Sequence, residues 1–271
     1  MGEAKQRKSA TQKFIAEFPE CCFCAGTRPS ATREHMPPKT LFDGSHRPDR
    51  LVMPSCDECN RGTSYADLIA SIISRRTYGY SSPDHARLVR SIKANRPEII
   101  AEWTKLNWIE KMGARLKLWE QGVVVPSDAG VASIGPQTIK FLNLFAHKAI
   151  LALYFEHFRT HVPKTGGVAA YWRSKEDYAK DGIPTILLDM MKRYGTLEQG
   201  RWSTREIFEY RYDLNQTDGL FACLARLRGG LYFTGFAVAD LSIIKNEGFD
   251  DWLSPPDLLS ILEKPEYEQR M

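Results

Sequence analysis

The sequence predicts an α+β fold in three parts: a small cysteine-rich module, a basic helical connector, and an α+β domain with a small antiparallel sheet. Five of the six cysteines lie within the first 59 residues. A long apolar segment near the middle has the length of a helix, and glycine-separated strand-like runs fill the last third. The cysteine-rich module spans residues 1–76, and we call it the cysteine module. The helical connector spans 77–130, and the α+β domain spans 131–271.

Composition excludes several classes of protein. The chain has 271 residues, enough for one large domain or two modest ones. Its 43% hydrophobic and 11% aromatic content is typical of globular proteins and argues against disordered, collagen-like and fibrous chains. No apolar run approaches the roughly 18 to 20 residues of a membrane-spanning helix, and the polar start resembles no secretory signal. We therefore expect a cytoplasmic protein with no membrane partner.

The first elements follow from apolar spacing and from prolines. A short helix is predicted over Ser9–Phe18, closed by Pro19. The stretch 20–55 contains five prolines, so we expect loops and no long helix there. A second helix is predicted over Asn60–Arg75, where the apolar side chains fall on one face.

The middle of the chain is predicted to be mainly helical. Pro83–Leu118 indicates one or two helices, interrupted near Pro97. The valine-rich run Trp119–Pro126 resembles a strand, and 130–135 resembles a linker. Gln137–His161 is the strongest helix prediction, because it is long and apolar on most faces.

The last third changes to a strand pattern. Strands are predicted over Phe208–Leu214, Leu220–Leu227 and Leu231–Val238. The pair Gly229-Gly230 between the last two indicates a two-residue hairpin loop. The tail from Pro255 is polar but has apolar residues for one short helix.

The positive charge is concentrated in the first half. Residues 1–130 carry 20 basic and 15 acidic side chains, whereas residues 131–271 carry 17 and 18. Three basic residues at a spacing of three, Arg87, Arg90 and Lys93, fall on one predicted helix face. Such a face is either a surface that contacts phosphate groups or an ordinary solvated face.

Two C-x-x-C pairs predict a zinc site. They are Cys21 with Cys24 and Cys56 with Cys59, separated by 31 residues. Two such pairs can supply the four thiolates of a tetrahedral zinc ion. Four thiolates leave no open coordination position, so this zinc is expected to be structural. Cys22 would form only a C-x-C arrangement with Cys24, so Cys21 is assigned as the ligand.

The chemistry of the module must come from other side chains. Glu34 and His35 are adjacent and lie between the two cysteine pairs, and Asn60 directly follows the second pair. On an extended strand, adjacent side chains point to opposite faces unless a twist or bulge intervenes. A carboxylate, an imidazole and an amide in one small module could assemble a hydrolytic site.

The ordered set Cys21-x-x-Cys24, Glu34-His35-x-x-Pro38 and Cys56-x-x-Cys59-Asn60 resembles the HNH endonucleases. These are the His-Me finger, or ββα-metal, nucleases, here in their four-cysteine zinc form. The resemblance covers about residues 20–76. It implies a zinc-stapled ββα-metal module and hydrolysis of phosphodiester bonds in nucleic acid, DNA above all.

The resemblance also implies a role for each residue that matches the motif. His35 would be the general base that activates water, and Glu34 and Asn60 would hold a catalytic Mg²⁺ or Mn²⁺. A neutral imidazole accepts a proton at neutral pH, and a hard divalent cation suits a phosphodiester. We expect substrate contacts from nearby basic side chains: Arg33, Lys39, Arg61, Arg87, Arg90 and Lys93.

The sequence departs from the family pattern in three places. Glu34 stands where the family commonly has aspartate, and Arg61-Gly62-Thr63 stands where a lysine often follows. The asparagine that orients the base is missing, so Asp49 or a backbone carbonyl would orient His35 instead. These departures leave an alternative open, a non-catalytic zinc module that docks nucleic acid or a protein. Under either interpretation, the second half would position the module, select the substrate, or bind a protein partner or a second copy of the chain.

Overall fold

The cysteine module is built on a hairpin and a helix. In the computed structural model, helix α1 (Gly2–Glu17) precedes strands β1 (Thr32–His35) and β2 (Val52–Ser55), which pair antiparallel, and helix α2 (Asp57–Ile73) follows directly. The structure describes residues 2–45, 47–75, 82–104, 108–120, 122, 124, 134–178, 182–199, 202–244 and 251–263.

Three helices follow where the sequence predicts one or two. They are α3 (Pro83–Asn95), α4 (Pro97–Thr104) and α5 (Trp108–Glu120), and the predicted interruption near Pro97 is confirmed as the start of α4. The strand predicted over Trp119–Pro126 is wrong for its described residues. The first two lie in α5, and the others lie in a turn or irregular backbone. Valine-rich sequence favours a strand only where a partner strand is available.

The helix predicted in the middle of the chain is confirmed as α6 (Pro136–Phe158). It ends three residues earlier than predicted, because Arg159 adopts a left-handed conformation with φ 56° and caps it. The predicted linker at 130–135 lies largely outside the described residues.

A five-stranded antiparallel sheet forms the last part of the fold. Its strands are β3 (Gly167–Ser174), β4 (Arg193–Thr196), β7 (Phe208–Asn215), β8 (Leu220–Leu227) and β9 (Leu231–Val238), in the order β3-β9-β8-β7-β4. The last three strands are confirmed, whereas β3 and β4 were not predicted. The chain between β3 and β7 also contains helix α7 (Thr185–Met190) and a short hairpin of β5 (Glu198–Gln199) and β6 (Trp202–Ser203).

Helix α6 lies between the cysteine module and the sheet. It packs against α2 and β2 on one side and against β3 and β9 on the other. On the sheet side, for example, the rings of Phe145 and Phe233 meet edge to face with centroids 5.9 Å apart. A helix covered on both sides must be apolar all round, which explains its nearly continuous hydrophobic sequence.

The tip of the β8–β9 hairpin contacts the end of α2. A Cβ atom at Gly230 would lie 2.4 Å from the Ser74 carbonyl oxygen, so only glycine allows this approach. Arg228 donates to the Leu41 carbonyl at 2.7 Å and to Asp43 at 2.8 Å. The loop holds three residues, not the two predicted, with Arg228 at φ 49°.

These elements confirm the α+β class, with a two-stranded sheet early and a five-stranded sheet later. The short helix predicted in the tail is present as a 3₁₀ helix over Pro255–Leu262. Within the described part of the chain, no helix combines the length and the apolar composition that crossing a membrane requires.

Candidate metal centre and catalytic surface

The two cysteine pairs meet in one buried cluster. Their four Sγ atoms all lie within 4.8 Å of one another, and every one of these side chains is buried. The first pair sits in a tight turn, where the Gly26 N–H donates to the Cys21 carbonyl at 3.0 Å. The second pair begins α2, where the Cys56 sulfur accepts from the Cys59 N–H at 3.4 Å. This geometry places the four predicted cysteines where they could bind one metal ion.

The chemistry of the four thiols fits a zinc ion. Zn–S bonds of about 2.3 Å place tetrahedral sulfurs about 3.8 Å apart, compatible with this cluster. A hydrogen bond with Cys24 raises the pKa of Cys21 to about 12, and the same bond lowers the pKa of Cys24. The thiols therefore share protons, and a dication is what allows all four to ionise together. Cys22 lies outside the cluster, as predicted.

The metal cluster fixes the hairpin that carries the candidate catalytic residues. The Cys22 N–H donates to the Pro54 carbonyl at 3.0 Å, and the Ala31 N–H donates to the Ser55 carbonyl at 2.8 Å. The first cysteine turn is thereby bonded to β2, and the second pair starts the helix that β2 leads into. The cysteine cluster therefore joins the segment that precedes β1 to the helix that follows β2.

Glu34 and His35 point to opposite sides of this hairpin. The β1–β2 register is regular, pairing Glu34 with Met53 and His35 with Val52 without a bulge. Glu34 is buried toward α6, whereas His35 is half-buried on the other face. The twist or bulge that would bring both side chains to one ion is therefore absent from this register.

His35 lies beside a carboxylate in cationic surroundings. Its Nε2 is 3.4 Å from Asp49 Oδ1, and the same carboxylate is 3.3 Å from the Arg33 guanidinium. Asp49 is thus in contact with His35, and it is one of the two orienting partners that the sequence left open. Burial, followed by the charges of Arg47 and Lys39, lowers the pKa of His35 to about 4. The imidazole is therefore neutral at physiological pH and able to accept a proton.

This pKa has a direct spectroscopic consequence. We expect the His35 ring resonances to stay unchanged between pH 8 and pH 5.5, because protonation sets in only near pH 4. An unperturbed histidine would instead titrate near pH ~6.5. NMR of the zinc-loaded chain measures this, with His35→Gln to assign the signals. A transition of the His35 signals near pH 6.5 would contradict the buried, cation-flanked environment.

Arg47 organises the loop next to His35, and sequence analysis did not identify it. Its guanidinium donates to several backbone carbonyl oxygens at 2.5 to 3.0 Å, those of Met36, Pro37, Pro48 and Arg50. These bonds close the segment between β1 and β2 around the base. No spacing rule marks an arginine in a proline-rich loop as an organiser of backbone.

Glu34 is held in a buried ion pair. The Lys148 Nζ of α6 lies 2.9 Å from Glu34 Oε1 and 2.6 Å from Asp67 Oδ2 of α2. The Lys148 side chain is fully buried, and the two carboxylate side chains are only 12% and 10% exposed. Burial raises the pKa of Asp67 to about 7. Burial alone would lower the pKa of Lys148, but the two carboxylates raise it above its ordinary value.

Asn60 also has a partner within the module. Its Nδ2 donates to the Thr32 hydroxyl at 2.9 Å. A divalent ion shared by Asn60 and Glu34 does not fit this arrangement, because the Glu34 carboxylate already contacts an ammonium group. The predicted Mg²⁺ or Mn²⁺ stays a prediction that would need ligands other than Glu34.

The other predicted substrate contacts fall on two surfaces. Arg33 and Lys39 flank His35, and Lys39 and Arg61 are exposed. Arg87, Arg90 and Lys93 are all exposed on α3, which buries Leu88 and Ile92 on its other side. Arg87 is paired with Asp84 at 3.1 Å. The shared α3 face is confirmed, and its contact with phosphate stays a prediction.

Lys148 and Asp67 were also missed, although the sequence contains a signal for them. Each lies inside an apolar helical segment: Lys148 is the only Lys or Arg between Phe141 and Phe158, and Asp67 is the only charge between Ala66 and Ile73. Isolated charges in such segments are rarely buried unless they are paired. Two opposite charges in two core helices could have indicated the Lys148–Asp67 ion pair. They would not have indicated that Glu34 joins it.

Comparison with known proteins adds no relative. No family model matches the sequence, and neither the curated proteins nor the solved structures provide a significant match.

Proposed function

We propose that this chain is an HNH-type, metal-dependent endonuclease that hydrolyses phosphodiester bonds of nucleic acid, DNA in the first place. The observation that carries the proposal is the His35–Asp49 pair on a hairpin whose ends are held by the four-cysteine cluster. A neutral base with an orienting carboxylate and neighbouring cations suits attack of water on a phosphate.

The residues divide the work as follows. The Nε2–H of His35 donates to the Asp49 carboxylate, so the lone pair on Nδ1 takes a proton from the attacking water. Arg33 and Lys39 balance the negative charge of the phosphate. A divalent ion, when bound, would supply further charge neutralisation at the phosphate and at the leaving oxygen.

Cleavage of plasmid DNA tests this proposal. We expect nicking in Mg²⁺ or Mn²⁺, and a loss of about 10²- to 10⁴-fold in His35→Ala, since that is the usual contribution of a positioned base. Asp49→Ala should lose activity less severely, because it only orients the base. The control is His85→Gln, which removes a histidine of α3 outside the His35–Asp49 pair. It should leave nicking unchanged. Equal nicking by the wild type and His35→Ala would remove His35 from the mechanism.

The same assay examines the predicted ion. Cleavage that requires added Mg²⁺ and is lost in Asn60→Ala would support a metal at Asn60. Cleavage that requires Mg²⁺ but survives in Asn60→Ala would mean that other residues of the module bind the ion. The zinc content is measured in parallel, so that loss of the structural metal is not mistaken for loss of the catalytic one.

The Lys148–Glu34 pair favours a second candidate, a zinc module that docks nucleic acid or a protein without cleaving. This candidate predicts salt-sensitive DNA binding with no nicking in any divalent ion. A protein partner or second copy bound through residues 131–271, and a cytoplasmic location, remain predictions under both candidates.

A further inference from the structure

Helix α6 supplies a positive charge to the cysteine module. Lys148 extends from the middle of this helix and contacts Glu34 of β1 and Asp67 of α2 at 2.9 and 2.6 Å. Glu34 and Lys148 are 114 positions apart in the sequence. The contact therefore joins the two halves of the chain at one point.

The surroundings make this ammonium difficult to displace. The Lys148 side chain is fully buried, and its Nζ lies 5.8 Å from the centroid of the Phe23 ring. An ammonium group has three donors, and two of them serve the two carboxylates. Moving it away would leave two carboxylates in a poorly solvated site, which is more costly than keeping the pair intact.

The same geometry opposes a divalent ion. A metal bound to the Glu34 carboxylate would lie within a few ångströms of the ammonium on that carboxylate. Like charges at this separation repel strongly where water is largely excluded. The other oxygen of Asp67, Oδ1, is buried and has no hydrogen-bond partner among the described residues.

We propose that the ε-ammonium of Lys148 is the resident cation of the Glu34 site, so that a side chain from the second half occupies the position that a divalent metal would otherwise take. Glu34 is then a positioning residue that ties β1 to α6 and α2. The proposal holds whether or not the module cleaves nucleic acid.

The proposal is tested by Mn²⁺ binding to the zinc-loaded full chain. Electron paramagnetic resonance measures the bound Mn²⁺. In the wild type and in Lys148→Arg, we expect no Mn²⁺ site that depends on Glu34. Adding Glu34→Gln should therefore leave their Mn²⁺ signals unchanged. Lys148→Met frees both carboxylates and should gain a Mn²⁺ site. The triple variant with Lys148→Met, Glu34→Gln and Asp67→Asn should lose that gained site, because it has no carboxylate left there.

Two results would overturn the proposal. One is a Mn²⁺ signal in the wild type that disappears in Glu34→Gln. The other is a folded Lys148→Met variant that gains no Mn²⁺ site. If Lys148→Met does not fold, the wild type and Lys148→Arg decide the matter alone, since any Glu34-dependent signal in either refutes it. Nicking activity plays no part in this readout, so the nuclease proposal stands or falls separately.

Discussion

Replacing Cys59 with serine is expected to remove zinc from the protein and to unfold the cysteine module. Structural zinc contributes an apparent ~10–16 kcal/mol to the folding of small zinc-dependent peptides. The cluster joins the turn of the first cysteine pair to the start of α2, so its loss disconnects two segments that lie far apart in the sequence. We expect the bound zinc to fall from one ion per chain to a trace, with a lower and broader thermal transition. Elemental analysis and thermal melts measure both.

Cys223→Ala is the matched control for that result. Cys223 is also fully buried, but it lies on β8 and outside the cluster. Its loss removes one buried heavy atom, worth about 1 kcal/mol, and should leave the zinc content unchanged. Full zinc retention in Cys59→Ser, or equal zinc loss in both variants, would show that the four cysteines are not the ligand set.

Replacing Lys148 with methionine is expected to destabilise the fold by about 3–5 kcal/mol, because it leaves two buried carboxylates without their cation. The effect should depend on pH. The pKa of Asp67 is raised to about 7, so the folded state holds a proton that the unfolded state has released above pH ~4. The free energy of unfolding therefore falls as the pH rises toward 7. It should fall further in Lys148→Met, which lacks the ammonium group. Urea unfolding at pH 5.5 and pH 8 measures the difference.

The neutral triple variant separates the charge from the packing. Combining Lys148→Met with Glu34→Gln and Asp67→Asn removes all three charges while it nearly preserves volume. We expect this variant to recover most of the lost stability, as buried ion pairs replaced together usually do. If the losses of the single substitutions simply add, the three side chains do not act as one unit.

Several elements could be predicted because their signals are local. The cysteine pairs, the long apolar helix and strands β8 and β9 are each visible within a short stretch of sequence. Strand β2 was hidden by Pro54, which normally argues against a strand and is tolerated here in a two-stranded hairpin. Strand β3 begins with residues buried on both faces, from Gly167 to Ala170, so it lacks the alternating pattern that marks a half-buried strand.

The candidate site shows the same division between local and distant information. The spacing of the cysteines by itself predicted the four-cysteine cluster, since each pair can form its own turn and four thiolates can satisfy one ion. The motif likewise located His35 and offered Asp49 as its partner. Only the tertiary structure decided that Glu34 turns inward to Lys148, 114 positions away. A buried charge takes whichever partner the packing of helices and strands brings within reach, and no local spacing encodes that choice.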